Sequence, residues 1–532
     1  MLLAACFIES FAAPLVARLV AQATPIVAPD ARVYRDIDRL TAAGLIDTII
    51  VGIRPYSRRE IRRLLTEAQR NLGRNGSARA WAEPTIASDL EQYAARDIRW
   101  AKPIDAIALD ATYSGSTPRA APIDSNGFLR ASIDPLTAYR EGRRVDRGAS
   151  GGIETRHSIE LTNWLAVAVN PRLWVSGGNE FIGSTDPRLT LQSGSVNMLF
   201  GNLSIEAGRD YVLFGQSPTG GLLLSENAPA LDMIRVSNDR PAALPSILKY
   251  IGPMRGTLLL ADLGKNQFHA HPKLIGYHIS ALPHPALELG LEVTDIMGGN
   301  GVPGFSTSSA IVDALPFIDP ILRRRSDFIS NKFVGGDFRW RVPGATGVQL
   351  YGEGALDDFD LRRLRSSLLE DGGYIFGLSA SCLADCGRLG VRAEFHQTGI
   401  RYYTHSDYDM QQDGQILGDP LGPRGLGGYL TFDGDAGRAG ELALSTAFEA
   451  RSGNTYGSAV TGADTRGFHF VLLSRRPGEK RTRVVATWTP GPRDRRMTLS
   501  ISAGAERVTN FAFDQGRDRT NGLAQIRYEF RP

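Results

Sequence analysis

The chain has 532 residues, of which 42% are hydrophobic and 58 are glycine. Its 60 basic and 57 acidic residues are spread along the sequence, which excludes a basic stripe of the kind that binds nucleic acid. No uninterrupted apolar run approaches the roughly 20 residues that a spanning helix needs, which argues against a helical membrane protein. A glycine-rich, moderately apolar composition is typical of proteins with many turns and with strands that expose one polar face.

The first segment has features of an export signal. Residues 1–23 are apolar and rich in alanine, and they end in Ala21-Gln22-Ala23, a small-x-small pattern that signal peptidases cleave. The segment has no basic start, and Glu9 and Arg18 interrupt its apolar run. We predict a signal peptide over residues 1–23.

Residues 30–100 carry a helical pattern. The first amphipathic segment ends near Gly44, the second runs to Leu72 and ends at Gly73, and the third spans Thr85 to Asp97. Because short amphipathic helices cannot bury their apolar faces alone, we predict a small α-helical bundle.

The second of these helices has a clear start. Ser57-Arg58-Arg59-Glu60 is a capping box, in which the serine hydroxyl and the glutamate carboxylate each accept a backbone N–H. Its polar face is either solvated or a site for an anionic ligand, and it carries Arg58, Arg59, Arg62 and Arg63.

From about residue 103 to residue 532, apolar and polar side chains alternate. In the last segment, Leu523 to Phe530, apolar residues such as Ile526 fall on one face, and Gln525, Arg527 and Glu529 fall on the other. A soluble sandwich has units nearer 100 residues, so this long repetition favours a closed antiparallel transmembrane β-barrel of about 16–18 strands. We predict a mainly β fold, with the barrel over residues 103–532.

Two cysteines flank a predicted hairpin turn. Cys382 and Cys386 lie between two strand-like segments, so a disulfide can join them in an oxidising periplasm. A two-thiol metal site is the alternative, although no second pair of ligands lies nearby in the sequence.

Long polar inserts interrupt the strand pattern, and exported barrels usually place such loops outside the cell. Aromatic rings can stack on the apolar faces of sugars, and carboxylates accept hydrogen bonds from sugar hydroxyls. The candidate glycan-binding residues are therefore Asp357, Asp358, Asp360, Tyr402, Tyr403, Asp407 and Tyr408. Ordinary hydrated loop composition is the alternative for each of them.

Catalytic motifs are scarce. The sequence has no G-x-S-x-G elbow, and Gly299 to Gly304 matches G-x-G-x-x-G without a helix after it. Four histidines could share a metal with one another, but no HExxH or cysteine pattern accompanies them: His269, His271, His278 and His284. We predict no enzymatic activity, no cofactor and no metal.

Four segments carry a further signal: Gly52 to Glu60, Leu213-Phe214-Gly215-Gln216, Gly220 to Asp232 and Ile234 to Pro241. Together they resemble the Wzi family of capsule assembly proteins. It implies an eighteen-stranded outer-membrane barrel with a helical bundle on the periplasmic side. It also implies a surface lectin that holds capsular polysaccharide.

A polar stretch between two strands falls inside this resemblance. In a barrel these side chains would face the lumen, where charge-assisted hydrogen bonds could join strands and narrow the pore. Direct glycan contact is the alternative role for Asp232, Arg235, Asn238, Asp239 and Arg240.

The sequence thus predicts a non-enzymatic outer-membrane protein that binds or organises surface polysaccharide. The expected partners are capsular polysaccharide and outer-membrane lipid, with no nucleic acid, and the expected state is a monomer. A porin or an outer-membrane hydrolase remains the alternative.

Overall fold

The structure is a computed structural model of the 532-residue chain. It describes residues 22–94, 101–121, 132–133, 141–143, 145–176, 188–302, 330–357, 364–384, 386–405, 407–460, 468–491 and 496–532. The predicted signal peptide therefore lies almost entirely outside the described residues.

Three helices follow the N-terminal segment: α1 (Val33–Ala42), α2 (Arg58–Arg70) and α3 (Gly76–Gln92). Helix α2 begins as predicted, because the Ser57 hydroxyl accepts the Glu60 N–H at 3.1 Å. The other half of the predicted capping box is replaced, since the Glu60 carboxylate accepts the Arg63 guanidinium at 2.7 Å.

The third helix begins earlier than the sequence pattern indicated. Asn75 caps it by accepting the Ala78 N–H at 3.3 Å, and the helix continues through Pro84. The apolar faces of the three helices pack into one buried cluster that includes Ile37, Leu64 and Trp81. This packing buries the stripes that none of the helices could bury alone.

In the part of the chain that the structure describes, eighteen strands form one closed barrel. They are β1 (Ala101–Ser114), β2 (Gly148–Thr162), β3 (Leu165–Val175), β4 (Arg188–Phe200), β5 (Leu203–Asp210), β6 (Leu231–Asn238), β7 (Pro253–Asp262), β8 (Lys273–His284), β9 (Leu287–Met297), β10 (Ser330–Arg341), β11 (Val348–Asp357), β12 (Gly372–Ala380), β13 (Leu389–Thr398), β14 (Gly425–Asp435), β15 (Glu441–Arg451), β16 (Glu479–Thr489), β17 (Met497–Thr509) and β18 (Arg519–Phe530).

The barrel closes through its first and last strands. Each strand pairs antiparallel with its sequence neighbours, and β18 pairs with β1, placing Phe530 opposite Ile107 and Leu523 opposite Ser114. A closed sheet satisfies its backbone hydrogen bonds without an edge strand, which is what a lipid surrounding requires. The predicted fold class is confirmed.

The two ends of the barrel differ. At the helix-capped end the turns are mostly short, as at Gly201-Asn202, and the helical segment packs over them, with Arg32 contacting Glu441 at 2.8 Å. At the opposite, long-loop end, the structure describes residues 115–121, 211–230, 263–272, 364–371, 399–405, 407–424, 452–460 and 468–478 of the longer connections. The helices therefore cover one mouth and the long loops the other.

The strands separate apolar from polar side chains as the alternation predicted. On β18, Ile526 is 50% exposed on the outer face, whereas Gln525 and Arg527 are buried in the lumen. Exposed apolar residues continue around the outside, among them Leu109, Leu173, Leu260, Leu289, Phe376, Phe432, Leu444 and Val484. Among the described residues, no helix is both long and apolar enough to cross a membrane.

The lumen is occupied by segments from both ends. Ile53–Arg54, from the helical segment, pairs antiparallel with Leu213–Phe214, from the loop between β5 and β6. The Gly215 N–H extends this pairing by donating to the Gly52 carbonyl at 3.0 Å. The wall residue Phe333 belongs to the same buried cluster as Phe214.

A disulfide joins Cys382 and Cys386 in the connection between β12 and β13. Cys386 is buried in the same apolar cluster as Trp81. The disulfide therefore lies at the helix-capped end, where it packs the barrel against the helices.

Candidate functional site

The long-loop end contains the residues that the sequence nominated for glycan binding, but it does not expose most of them. Asp357 ends β11 and is buried, and Tyr402, Tyr403 and Tyr408 are buried as well. Two further acidic candidates, Asp358 and Asp360, lie outside the described residues.

The tyrosines hold the loop between β13 and β14 in the barrel mouth. The Tyr403 hydroxyl donates to the Leu222 carbonyl at 2.5 Å and accepts the Asp419 N–H at 2.7 Å. Tyr402 packs edge-on against Phe333. Burial raises the pKa of Tyr403 well above its ordinary value. These rings join one loop to another and do not face solvent, so they cannot stack on a sugar in this conformation.

Asp407 is the predicted candidate that lies near the surface. Its Oδ1 atom is 3.1 Å from His269 Nε2, on the loop between β7 and β8. On that loop Phe268 is 50% exposed, and its ring contacts the His269 ring. Nearby, Asn266 Nδ2 donates to Asp413 Oδ1 at 2.8 Å. We call this group the rim patch: Asn266, Phe268, His269, Asp407 and Asp413.

Sequence reasoning did not assign the other rim-patch residues to glycan binding, and it considered His269 only as a metal ligand. The only local signal was one aromatic residue, Phe268, in a polar turn between two strands. Which loops meet at a barrel mouth depends on the closure of the whole sheet, so sequence spacing does not reveal the pairing of residues 266–269 with residues 407–413.

The predicted lumen network is divided among three places. Asp232 faces outward and pairs with Arg209 at 2.5 Å, so its predicted lumen position is wrong. Arg235 does face the lumen, where it pairs with Glu206 at 2.5 Å. Asp232 and Arg235 are three positions apart on the same strand. Because side chains alternate along a strand, an odd separation places them on opposite faces of the sheet.

The remaining members of that set lie at the helix-capped end. Asn238 donates to the Met254 carbonyl at 2.9 Å, and Asp239 lies 3.5 Å from the Arg59 guanidinium. The Arg240 N–H donates to Asn202 at 3.0 Å. Asp239 therefore attaches helix α2 to the barrel, which gives one arginine of its polar face a structural role. The bonds of Asn238 and Arg240 join barrel residues to one another.

One side of the lumen, the paired wall, carries arginines and carboxylates in contact. Its members are Arg119, from the loop between β1 and β2, with Glu449, Arg451, Glu479, Arg481 and Glu506 on β15 to β17. Arg119 contacts Glu449 at 2.5 Å and Glu479 at 3.2 Å. Arg481 contacts Glu506 at 3.5 Å. These contacts fix an incoming loop to β15 and β16, and they join β16 to β17.

A different side of the lumen, the acidic wall, has an excess of carboxylates. It is the lumen face of β8 to β11, and its residues are His278, Glu288, Glu292, Asp337 and Glu353. Glu353 accepts the backbone N–H groups of Gln216, Ser217 and Leu222 at 2.6, 2.7 and 2.9 Å. This carboxylate therefore holds the inward loop against the wall.

Gln216 is the central hydrogen-bonding residue beside this wall. Its amide nitrogen donates to Asp337 at 2.5 Å and to Glu288 at 3.0 Å, and its amide oxygen accepts from Arg339 at 2.9 Å. Glu288 also accepts the backbone N–H of Gly52 at 2.8 Å. The acidic wall thus binds both segments that fill the lumen.

The four histidines considered for a hydrolytic or metal site do not form one cluster. His269 contacts Asp407 and His271 contacts Asp262 at the long-loop end, each at 3.1 Å. His278 is buried in the lumen, and His284 is exposed at the other end of β8.

A closed barrel with an apolar outer surface, one mouth covered by helices and the other by long loops, belongs to the class of outer-membrane β-barrel proteins. The family model of the capsule assembly protein Wzi matches residues 123–523. The chain therefore belongs to the Wzi family, as the resemblance of its sequence segments predicted. No protein with a curated description matches the chain significantly.

Two solved structures are similar to the chain. OccD3 (OpdP) of Pseudomonas aeruginosa is 10% identical, with a TM-score of 0.44 over 82% of this chain and 95% of that one. Wzi of Escherichia coli, an outer-membrane protein described as a carbohydrate-binding β-barrel involved in group 1 capsule assembly, is 17% identical, with a TM-score of 0.65 over 95% of this chain and 99% of that one. The closed sheet and its similarity to the Escherichia coli barrel confirm the predicted eighteen-stranded outer-membrane barrel.

Proposed function

We propose that this protein binds capsular polysaccharide at the long-loop end and takes part in capsule assembly without catalysing a reaction. Membership of the Wzi family supports this proposal, and so does the description of the Escherichia coli protein as a carbohydrate-binding barrel. The observation that carries it is the arrangement of the two mouths, because helices cover one and long loops form the other.

The filled lumen supports a binding role over a porin role. Backbone pairing between Ile53–Arg54 and Leu213–Phe214 crosses the interior, and the side chains of Glu288 and Glu353 fix both segments to the wall. A porin needs a continuous aqueous path. Purified protein in planar bilayers should therefore give no steady large currents, and such currents would favour the porin.

We propose the rim patch as the contact with the glycan. Phe268 offers an exposed ring to the apolar face of a sugar, while His269, Asp407 and Asp413 provide polar atoms beside it. The buried tyrosines behind the patch keep the loop in place and contribute indirectly.

Deletion of the gene tests the function as a whole. Cells that lack the protein should lose cell-attached polysaccharide and release it into the medium, and the intact gene should restore attachment. Unchanged attachment would refute the proposal.

A single variant tests the rim patch. Phe268→Ala should weaken binding of the strain's purified capsular polysaccharide at least fivefold, measured with the detergent-solubilised protein. Tyr250→Ala is the matched control, because Tyr250 is 77% exposed but follows β6 at the opposite end. Equal binding by both variants would leave the function intact and refute the patch.

The apolar outer surface is expected to contact membrane lipid, and we propose a monomer. Light scattering of the detergent-solubilised protein should give the mass of a single chain after subtraction of the detergent.

A further inference from the structure

The acidic wall contains one carboxylate that differs from the others. Glu288 and Glu353 accept backbone N–H groups, and Asp337 Oδ1 accepts the Gln216 amide. Glu292 is 0% exposed, and neither of its oxygens accepts a hydrogen bond from the described residues. A buried carboxylate without a partner is costly, so a group that stabilises Glu292 is expected.

The barrel register brings two further ligand-type side chains to Glu292. His278 on β8 lies directly opposite Glu292 on β9, and Asp337 on β10 lies opposite Gly290. One ligand atom from each of His278, Glu292 and Asp337 lies within 4.8 Å of the other two. All three side chains are buried.

The ligand-type atoms lie close together. His278 Nε2 is 2.9 Å from Asp337 Oδ2 and 3.1 Å from Ser280 Oγ, and Asp337 Oδ2 takes part in no well-aligned hydrogen bond. Ligands around one ion lie near each other without pointing at each other. For bonds of roughly 2.0 Å in tetrahedral or octahedral geometry, neighbouring ligand atoms are about 2.8–3.3 Å apart.

Two glycines leave space where the side chains of His278, Glu292 and Asp337 approach one another. A Cβ at Gly290 would lie 2.1 Å from Asp337 Oδ2 and 2.6 Å from His278 Nε2. A Cβ at Gly335 would lie 2.9 Å from Glu292 Oε1. Any larger residue on these two lumen-facing positions would fill the place where the three side chains meet.

We propose that His278, Glu292 and Asp337 bind a divalent transition-metal ion of the Zn²⁺ type inside the lumen. One imidazole with two carboxylates suits such an ion better than Mg²⁺ or Ca²⁺, which prefer oxygen ligands alone. The ion joins β8, β9 and β10 and places a positive charge beside Glu292, whose oxygens accept no hydrogen bond from the described residues. This site is independent of polysaccharide binding.

The test compares wild type with Glu292→Gln, which is isosteric, and with His278→Ala. His284→Ala is the matched control, because it removes an exposed imidazole from the same strand. Each full-length protein is folded with equimolar Zn²⁺, separated from free ion by gel filtration, and analysed by mass spectrometry for bound zinc. Wild type and the control should retain about one Zn²⁺ per chain, and the two site variants less than a tenth of that.

A second measurement separates metal binding from protonation of Glu292. Folding in the presence of a strong chelator should lower the Tm of wild type, and added Zn²⁺ should restore it. Glu292→Gln should melt at the same temperature with and without chelator. Absence of zinc from wild type, or equal zinc in all four proteins, would overturn the proposal and leave a protonated Glu292 as the explanation.

Discussion

The paired wall and the acidic wall stabilise buried charge in different ways. On the paired wall, Arg119 lies between Glu449 and Glu479, so guanidinium groups compensate the carboxylates. On the acidic wall, Glu353 is compensated by backbone N–H groups, and Glu292 by no described hydrogen-bond donor. Buried carboxylates in this one barrel are therefore stabilised in more than one way.

This contrast distinguishes carboxylates that cross-link parts of the protein from a carboxylate that could bind a ligand. A carboxylate held between arginines is already satisfied, and its loss leaves buried cations behind. A carboxylate without a donor still requires a proton or a cation. The comparison predicts opposite results for the same chemical substitution on the two walls.

The largest expected effect is on the paired wall. Glu449→Gln should lower the free energy of unfolding by about 3–5 kcal/mol, because it leaves Arg119 and Arg481 buried without their shared carboxylate. Urea unfolding of the protein in lipid vesicles, followed by tryptophan fluorescence, measures the change. Glu292→Gln with chelator present is the matched substitution on the acidic wall, and it should be neutral or stabilising. Similar losses in both variants would remove the distinction between the walls.

A smaller effect is expected where the helical segment enters the lumen. Asp30 contacts Arg156 and Arg527, each at 2.6 Å. Burial raises the pKa of Asp30, and Glu154 also raises it, but the two guanidinium groups lower it more, so the net pKa lies below 3.8. A lowered pKa stabilises the folded state above the unfolded value and loses that contribution as the pH falls.

Asp30→Asn should therefore cost about 2–3 kcal/mol at pH 7, since it weakens two charge-assisted hydrogen bonds. The difference from wild type should shrink as the pH falls below about 3.8. Thermal unfolding across this pH range measures it. A difference that does not change with pH would show that the packing of Asp30 matters and its charge does not.

The inward loop gives an intermediate test of the acidic wall. Gly215 has φ +102°, and a Cβ there would lie 2.4 Å from Glu353 Oε1. Gly215→Ala should be less stable by roughly 1–3 kcal/mol than Gly301→Ala, because overpacking adds to the backbone strain. Gly301 is the control, since it has φ +86° and no described atom within 4 Å of its Cβ position. Equal losses would mean that Glu353 yields to the added methyl group.

The smallest effect is expected outside the barrel. Asp232 pairs with Arg209 at 2.5 Å, but both side chains are substantially exposed. Asp232→Asn should cost roughly 0.2–1 kcal/mol, because solvent screens exposed pairs. The same urea unfolding assay measures it, and a loss comparable to that of Glu449→Gln would contradict the assignment of Asp232 to the exposed outer face.

Local sequence pattern determined the elements of this protein. Alternation along Leu523 to Phe530 predicted which side chains face outward, and β18 has Ile526 outside and Arg527 inside. Ser57 predicted the start of α2. These features depend on neighbours within a few residues, so the sequence contains the information directly.

Closure of the sheet decided the rest. It buried Tyr402 and Tyr403 beneath the loops and brought His278, Glu292 and Asp337 together from three strands. Contacts across a barrel depend on strand register and on which loops fold inward. Those are properties of the whole cylinder, and a linear pattern of residue types does not contain them.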